Sequence, residues 1–294
     1  MKEEVVLGGQ AVIEGVMMKG GDAYAVAVRK PSGEIVSERF SINTGSVSRA
    51  LGKAFLVRGV VALFTMLSIG IKALSYSAQV ALEEEEEKAP SWFLPLTVTV
   101  ALVAAVGLFF GIPYLAGMLF SRMTGFPVGG VIFNLFEGVV RIGVFLLYIW
   151  GISLMPDVRR VFEYHGAEHK VVNAWEMGLD LTAEEVTGCS RFHPRCGTSF
   201  IFFVLVISVL VFSLIPGDIS VLAKGVCRLV LLPVVAGISY EIIKLSGSKR
   251  NTLLFRMLSE PGMFFQKFTT FEPSHEQVEV AIASFRKLWE GGHI

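Results

Sequence analysis

At 294 residues, 53% of them hydrophobic, with a mean hydropathy of +0.61, the chain is too apolar for an ordinary soluble domain and reads as a membrane protein. Its 26 basic and 26 acidic residues cancel, which excludes a bulk attraction to nucleic acid and leaves the placement of the charges as the signal. Three cysteines, Cys189, Cys196 and Cys227, suggest no disulfide framework and suit free thiols or metal ligands in a reducing compartment.

The N-terminal MKEEVVLGGQ lacks the apolar stretch of a signal peptide. Within 1–45 the glycine-rich LGGQAVIEGVMMKGG is followed by alternating AYAVAVRK, a PSGE turn and EIVSERFSI, a hairpin pattern that predicts a small β-module. Gly8 and Gly9 read as turn glycines, because no phosphate-loop lysine follows them. The segment 46–91 holds a short apolar run at 59–71, bounded by Arg58 and Lys72, that suits an interfacial or re-entrant helix, and then the acidic run Glu83 to Glu87 as a solvated juncture.

Four stretches, near 92–120, 129–155, 198–216 and 219–245, are long enough to cross a bilayer, giving helices 1–2 in 92–155 and 3–4 in 198–245. The expected fold is therefore mainly α, a polytopic membrane protein with about four spans and a small N-terminal β-module. Only Arg122 lies between the first two spans, whereas Arg159, Arg160, Lys170, Arg191 and Arg195 lie in the central segment 156–197, which the positive-inside tendency makes cytoplasmic together with both termini. Ionisable groups inside spans face the bundle, so Glu137, Arg141 and Arg228, at similar depth, form a plausible network whose simplest role is structural. In the C-terminal region 246–294, Ser274 and Gln277 have capping-box spacing, and Val278, Ile282, Phe285 and Trp289 share one face of an amphipathic surface helix.

The segment FEYHGAEHKVVNAWE continues the second span past Pro156 and sets His165 and His169 one helical turn apart, ~6 Å along the axis, with Glu168 on the adjoining flank. Two imidazoles one turn apart can hold Zn²⁺ with positions left open, and a neighbouring carboxylate that is not a ligand can take a proton from water; His-x-x-Glu-His is the inverted zinc-peptidase order. The plain alternative is a helix packing site in which both rings bond backbone or the side chains of Glu163 and Tyr164. A second cluster, GCSRFHPRCGTSF, supplies Cys196, His193 and Cys189 just before the third span. Cys196 beside Arg195 at a helix start favours a thiolate, which makes it either a metal ligand or a nucleophile with His193 as base. Glu241, near the end of span four, is a further candidate to complete the site; of the three, Cys196 is the preferred third ligand.

In this order GGQAVIEGVMMKGG, YHGAEHK, HPRCGTSF and EPSHEQVEVAIA resemble the YqhQ-like family of bacterial membrane proteins, over nearly the whole chain. The resemblance implies a bacterial inner-membrane location and a metal-dependent enzyme without an assigned substrate, with motif positions at Gln10, Glu14, His165, Glu168, His169, His193, Arg195 and Cys196. The chain departs from the expected acidic pattern after Glu272 and Pro273, where Ser274 and His275 stand, so His275 is set aside as a ligand. The expectation is a zinc-dependent hydrolase with Glu168 as base, working beside the bilayer on a membrane-associated substrate or partner, with no nucleic acid. The rival is a non-enzymatic scaffold, insertion accessory or transport factor with a structural metal or none.

Overall fold

The computed structural model describes residues 7–42, 51, 52, 54–82, 93–248 and 253–290. The acidic run Glu83 to Glu87 and the basic pair Lys249 and Arg250 lie outside the described residues. Strands β1 (Leu7–Val12), β2 (Gly15–Gly20), β3 (Ala23–Arg29) and β4 (Ile35–Ser41) form an antiparallel meander in the order β1-β2-β3-β4. The predicted hairpin is β3–β4, in register from Ala23 opposite Ser41 to Arg29 opposite Ile35, and Gly33 closes it at φ +89°, a conformation that suits a residue without Cβ. Gly8 and Gly9 belong to β1 rather than to a turn. The turn is the two-residue link Ile13–Glu14, where Glu14 holds φ +50° while both its carboxylate oxygens accept from Arg160 and one also accepts from Tyr164.

Alternation sorts the sheet into two faces. Leu7, Val16, Met18, Ala25 and Ala27 point to one side and Val12, Met17, Tyr24, Val26 and Val28 to the other, and both sides are buried. The second face is covered by α1 (Val57–Leu82) through Ile69, Ala73 and Ala81. This helix runs ten residues past Lys72, since ALSYSAQVAL carries no breaker, so the segment expected to be short is 26 residues long. The first face is covered by α5 (Pro156–Glu176) and α10 (His275–Trp289). The capping box of Ser274 and Gln277 starts α10 as its spacing predicts; Val278, Ile282 and Phe285 then bury against the sheet and α5 while Trp289 stacks on Phe285.

The remaining helices are α2 (Phe93–Val106), α3 (Ile112–Thr124), α4 (Val131–Ile152), α6 (Ala183–Thr187), α7 (Gly197–Ser213), α8 (Val221–Ser248) and α9 (Leu253–Thr269). One π-helical turn, Gly107–Gly111, joins α2 to α3 without a break. Among the described residues, four helices are long and apolar enough to cross a membrane: Val57–Leu82, Pro95–Thr124, Val131–Ile152 and Leu222–Leu245. The third predicted stretch is α7, apolar but only 17 residues long. The protein is thus a polytopic membrane protein, mainly helical, with a four-stranded sheet at one end of its bundle. The His-bearing helix does not prolong the second span: the chain leaves α4 at Ile152, and Pro156 begins α5 at a position where its missing N–H costs nothing.

Candidate metal centre

The centre lies where α5, the start of α7, the end of α9 and strand β1 converge. Helix α5 supplies His165, Glu168 and His169, and it stops at Met177 before Gly178, whose φ of +71° turns the chain away. The following loop is strapped back onto α5 by two of that helix's own side chains. Lys170 Nζ donates to the carbonyls of Thr187 and Cys189 at 2.7 and 2.8 Å, and Asn173 Nδ2 to those of Ser190 and Phe192 at 2.7 and 3.1 Å. From α9, Gln266 exchanges a pair of bonds with His193, receiving from its N–H at 3.0 Å and donating to its carbonyl at 2.7 Å. The loop thereby delivers Cys196 as the N-cap of α7, with the thiol accepting from the Thr198 N–H at 3.4 Å.

Three side chains meet there: the ligand atoms of His165, His169 and Cys196 lie within 4.8 Å of one another. Each imidazole is oriented from behind. His165 Nδ1 is 2.8 Å from the Thr269 carbonyl and His169 Nδ1 is 2.6 Å from the Arg191 carbonyl. A carbonyl only accepts, so both Nδ1 atoms carry the proton and both Nε2 lone pairs are left for the centre, the arrangement by which metal-binding histidines are usually held. His165 Nε2 lies 3.2 Å from Cys196 Sγ. The donor set, two nitrogens and one sulfur, fits a divalent ion of the zinc type, and among the described residues no fourth ligand joins the three.

Glu168 stands beside the three without belonging to them. It is 5% exposed, its Oε2 is buried with no partner among the described residues, and its carboxylate accepts from the Gly9 backbone N–H. Strand β1 passes so close above it that a Cβ on Gly9 would lie 2.9 Å from Glu168 Cδ. An orphaned buried carboxylate oxygen next to three convergent ligand atoms is a cost that a bound ion with its water would remove. Burial raises the Glu168 carboxyl above the usual carboxylate range, against the pull of His169 and His165. Burial alone would raise the Cys196 thiol and lower His165, but their mutual attraction outweighs it, holding the thiol well below its ordinary value and raising the imidazole to about 9.

The other two expected ligands are engaged elsewhere. His193 turns its Nε2 to Glu176 at 3.2 Å and receives the Arg195 N–H on Nδ1 at 3.3 Å, while Arg195 pairs with the same carboxylate oxygen. The imidazole beside the Cys196 sulfur is therefore His165, not His193. Glu241 gives both oxygens to Arg58 at the start of α1. Cys189 is buried with its thiol on the Glu185 carbonyl, outside the triad. Sequence reasoning missed Lys170, Asn173 and Gln266, whose polar termini in a largely buried stretch were the available signal, and Gly9, for which a glycine within a strand was the clue.

This fold and site define a class: a polytopic membrane protein whose extramembrane sheet and helices enclose a His/His/Cys triad. The chain belongs to the DUF1385 family, described as a protein of unknown function, whose pattern matches residues 55–290. It is 34% identical over 297 residues to the uncharacterized protein YqhQ of Bacillus subtilis (strain 168), covering 96% of this chain and 91% of that one. No solved structure matches. The family description names no metal and no reaction, so the comparisons lend no support to the metal-dependent enzyme implied by resemblance.

Proposed function

We propose that the protein is a membrane-bound metal-dependent hydrolase working at the cytoplasmic face of a bacterial inner membrane. The observation that carries this reading is the pairing of a three-ligand donor set with a buried carboxylate oxygen that has no partner among the described residues. A divalent ion held by His165, His169 and Cys196 would act as a Lewis acid on a substrate carbonyl or phosphoryl group and on water. Glu168 accepts the proton of the attacking water; its raised affinity for protons brings it nearer the neutral range in which a general base is effective. The Gly9 N–H and the strand above fix the carboxylate, and the Thr269 and Arg191 carbonyls hold the imidazoles.

The arrangement of α1 supports a site at the membrane boundary. Its first turn joins α8 near that helix's end, through Arg58 to Glu241 and through Gly59 against Tyr240, while its second half covers the sheet. Both halves thus sit at the α5 end of the bundle. Leu63, Phe64, Leu67, Ile71 and Leu74 remain exposed, an apolar stripe suited to lying in the membrane surface.

A second reading rests on the 3.2 Å contact of His165 Nε2 with Cys196 Sγ, which is also the geometry of a cysteine nucleophile with its histidine. Metal analysis of the purified full-length protein separates the two. The hydrolase reading expects one equivalent of zinc, lost in His169→Ala and Cys196→Ser and kept in Glu168→Gln. With Co²⁺ in place of zinc, addition of acetohydroxamate should shift the visible spectrum, because a coordination position is open. Absence of metal from the wild type sinks the hydrolase reading, and a bound cobalt indifferent to hydroxamate points to a closed structural site and a non-enzymatic scaffold.

A further inference from the structure

A second charged cluster lies within the spanning bundle, at the end away from the His/Cys centre. On α4, Glu137 is 2% exposed and accepts from Arg141, one turn along, and from Arg228 Nη2 on α8 at 3.3 Å. Arg141 also donates Nε to the Phe109 carbonyl at 3.0 Å, in the π-helical turn between α2 and α3, and its guanidinium lies over Phe110. Each contact satisfies Arg141, and none adds a negative charge. Two guanidiniums against one carboxylate leave the cluster with a net charge of +1, and Lys224, one turn before Arg228 on α8, adds a further cation whose Nζ donates to the neutral Gly217 carbonyl at 2.9 Å and has no carboxylate partner among the described residues.

An uncompensated cation at membrane depth is unfavourable by several kcal/mol unless an anion approaches it, whereas a simple structural ion pair would have been neutral. Arg228, whose guanidinium also lies over the Phe212 ring, is the member with donors to spare. Its side chain is 23% exposed, its Nε is buried with no partner among the described residues, and the neighbouring Val226, Leu229 and Val230 project outward from the same helix. Both Glu137 and Arg228 stand six residues, ~9 Å, inside the ends of their apolar helices at Val131 and Leu222, and an arginine stem reaches roughly that far toward the surface. Since α4 leads from Val131 toward the His/Cys end, the head groups toward which that stem reaches are those of the opposite leaflet.

We propose that Arg228, with Arg141 beneath it and Lys224 one turn above, binds a phosphate-type anion between α4 and α8, and that this anion is the phosphodiester of an anionic phospholipid. The forked guanidinium matches two phosphate oxygens, and the outward-facing apolar residues around it offer the acyl chains a surface. A free phosphate would satisfy the charge but would leave that surface unused.

The test uses the full-length protein in detergent, titrated with phosphatidylglycerol, phosphatidylcholine or inorganic phosphate and read by native mass spectrometry. One phosphatidylglycerol should be retained per chain, in preference to phosphatidylcholine, and its affinity should fall at least about tenfold in Arg228→Gln. Arg228→Lys keeps the charge without the fork and should weaken binding less than Arg228→Gln does, which gives the result a folded comparison; Arg122→Gln, an exposed arginine on α3 outside the cluster, should bind as wild type does. Equal retention by the wild type and both Arg228 variants would overturn the site. Displacement of the lipid by inorganic phosphate at millimolar concentration would assign the anion to solution and overturn the lipid assignment.

Discussion

Gly8 and Gly9 stand side by side in β1, yet the structure gives them opposite sensitivities. An added Cβ at Gly8 meets nothing within 4 Å, whereas at Gly9 it would lie 2.6 Å from the Met17 carbonyl oxygen and 2.9 Å from both Cγ and Cδ of Glu168. Ordinary contacts at these atom types are ~3.2 to 3.8 Å, so the overlap is several tenths of an ångström on two sides at once. The Met17 carbonyl belongs to the facing strand of the sheet and cannot retreat alone, and Glu168 is enclosed by strand and helix. Overpacking of this kind costs about 1–3 kcal/mol. At about 2–4 °C per kcal/mol for a domain of this size class, Gly9→Ala should lower the melting temperature by roughly 2–12 °C. Gly8→Ala removes backbone freedom from the unfolded chain without a clash and should be neutral or stabilising by up to about 1 kcal/mol. Melting of the detergent-purified variants followed by tryptophan fluorescence checks both. Equal melting temperatures for the two variants would refute the close passage of β1 over Glu168.

Two further outcomes test other parts of the architecture. Ser274→Ala removes the oxygen that accepts from the Gln277 N–H and should destabilise the protein by about 1 kcal/mol in denaturant titration, with Ser274→Asp restoring most of it. Cysteine placed at Pro127, in the exposed link between α3 and α4, should react in intact cells with a membrane-impermeant maleimide, and cysteine at Asp180, in the exposed loop after α5, only after permeabilisation; the reverse pattern would overturn the orientation expected from the arginine distribution.

Much of this fold was legible because it is written in short periods. The β3–β4 hairpin announces itself by alternation and a PSGE turn, α10 by its capping spacing, and the intramembrane network by three ionisable residues in apolar runs. The triad was half legible for a similar reason. His165 and His169 are one turn apart, and Cys196 was the favoured third partner of a loop that had to return to the same helix. Opaque were the contacts made between distant segments. Glu241 could be placed near the right end of its span, but nothing local signals that Arg58, 183 positions earlier, occupies its oxygens. His193 sits three residues from Cys196, and spacing alone could not show that Glu176 draws its ring aside. The backbone carbonyls of Thr269 and Arg191 carry no residue-type signature, although they set which nitrogen of each histidine is available.

The sheet is sealed by a helix from the other end of the chain: Ser284 on α10 bonds the Ala25 carbonyl on β3, 259 residues away. At ribosomal speeds of about 5–20 residues per second, those 259 residues take roughly 13–52 s to synthesise, so the nascent sheet must wait that long with one apolar face unsealed while the hydrophobic helices enter the bilayer. The same order of events governs the triad, whose carbonyl support at Thr269 is made 104 residues after His165. A chain stopped short of α9 would hold His165, His169 and Cys196 and still lack the carbonyl that orients His165; if the proposed zinc site is right, ribosomes stalled before α9 should yield chains that retain less zinc than the full protein. On that order the triad gains its full support only once Thr269 has been made and reaches His165, after the helices between them have been synthesised.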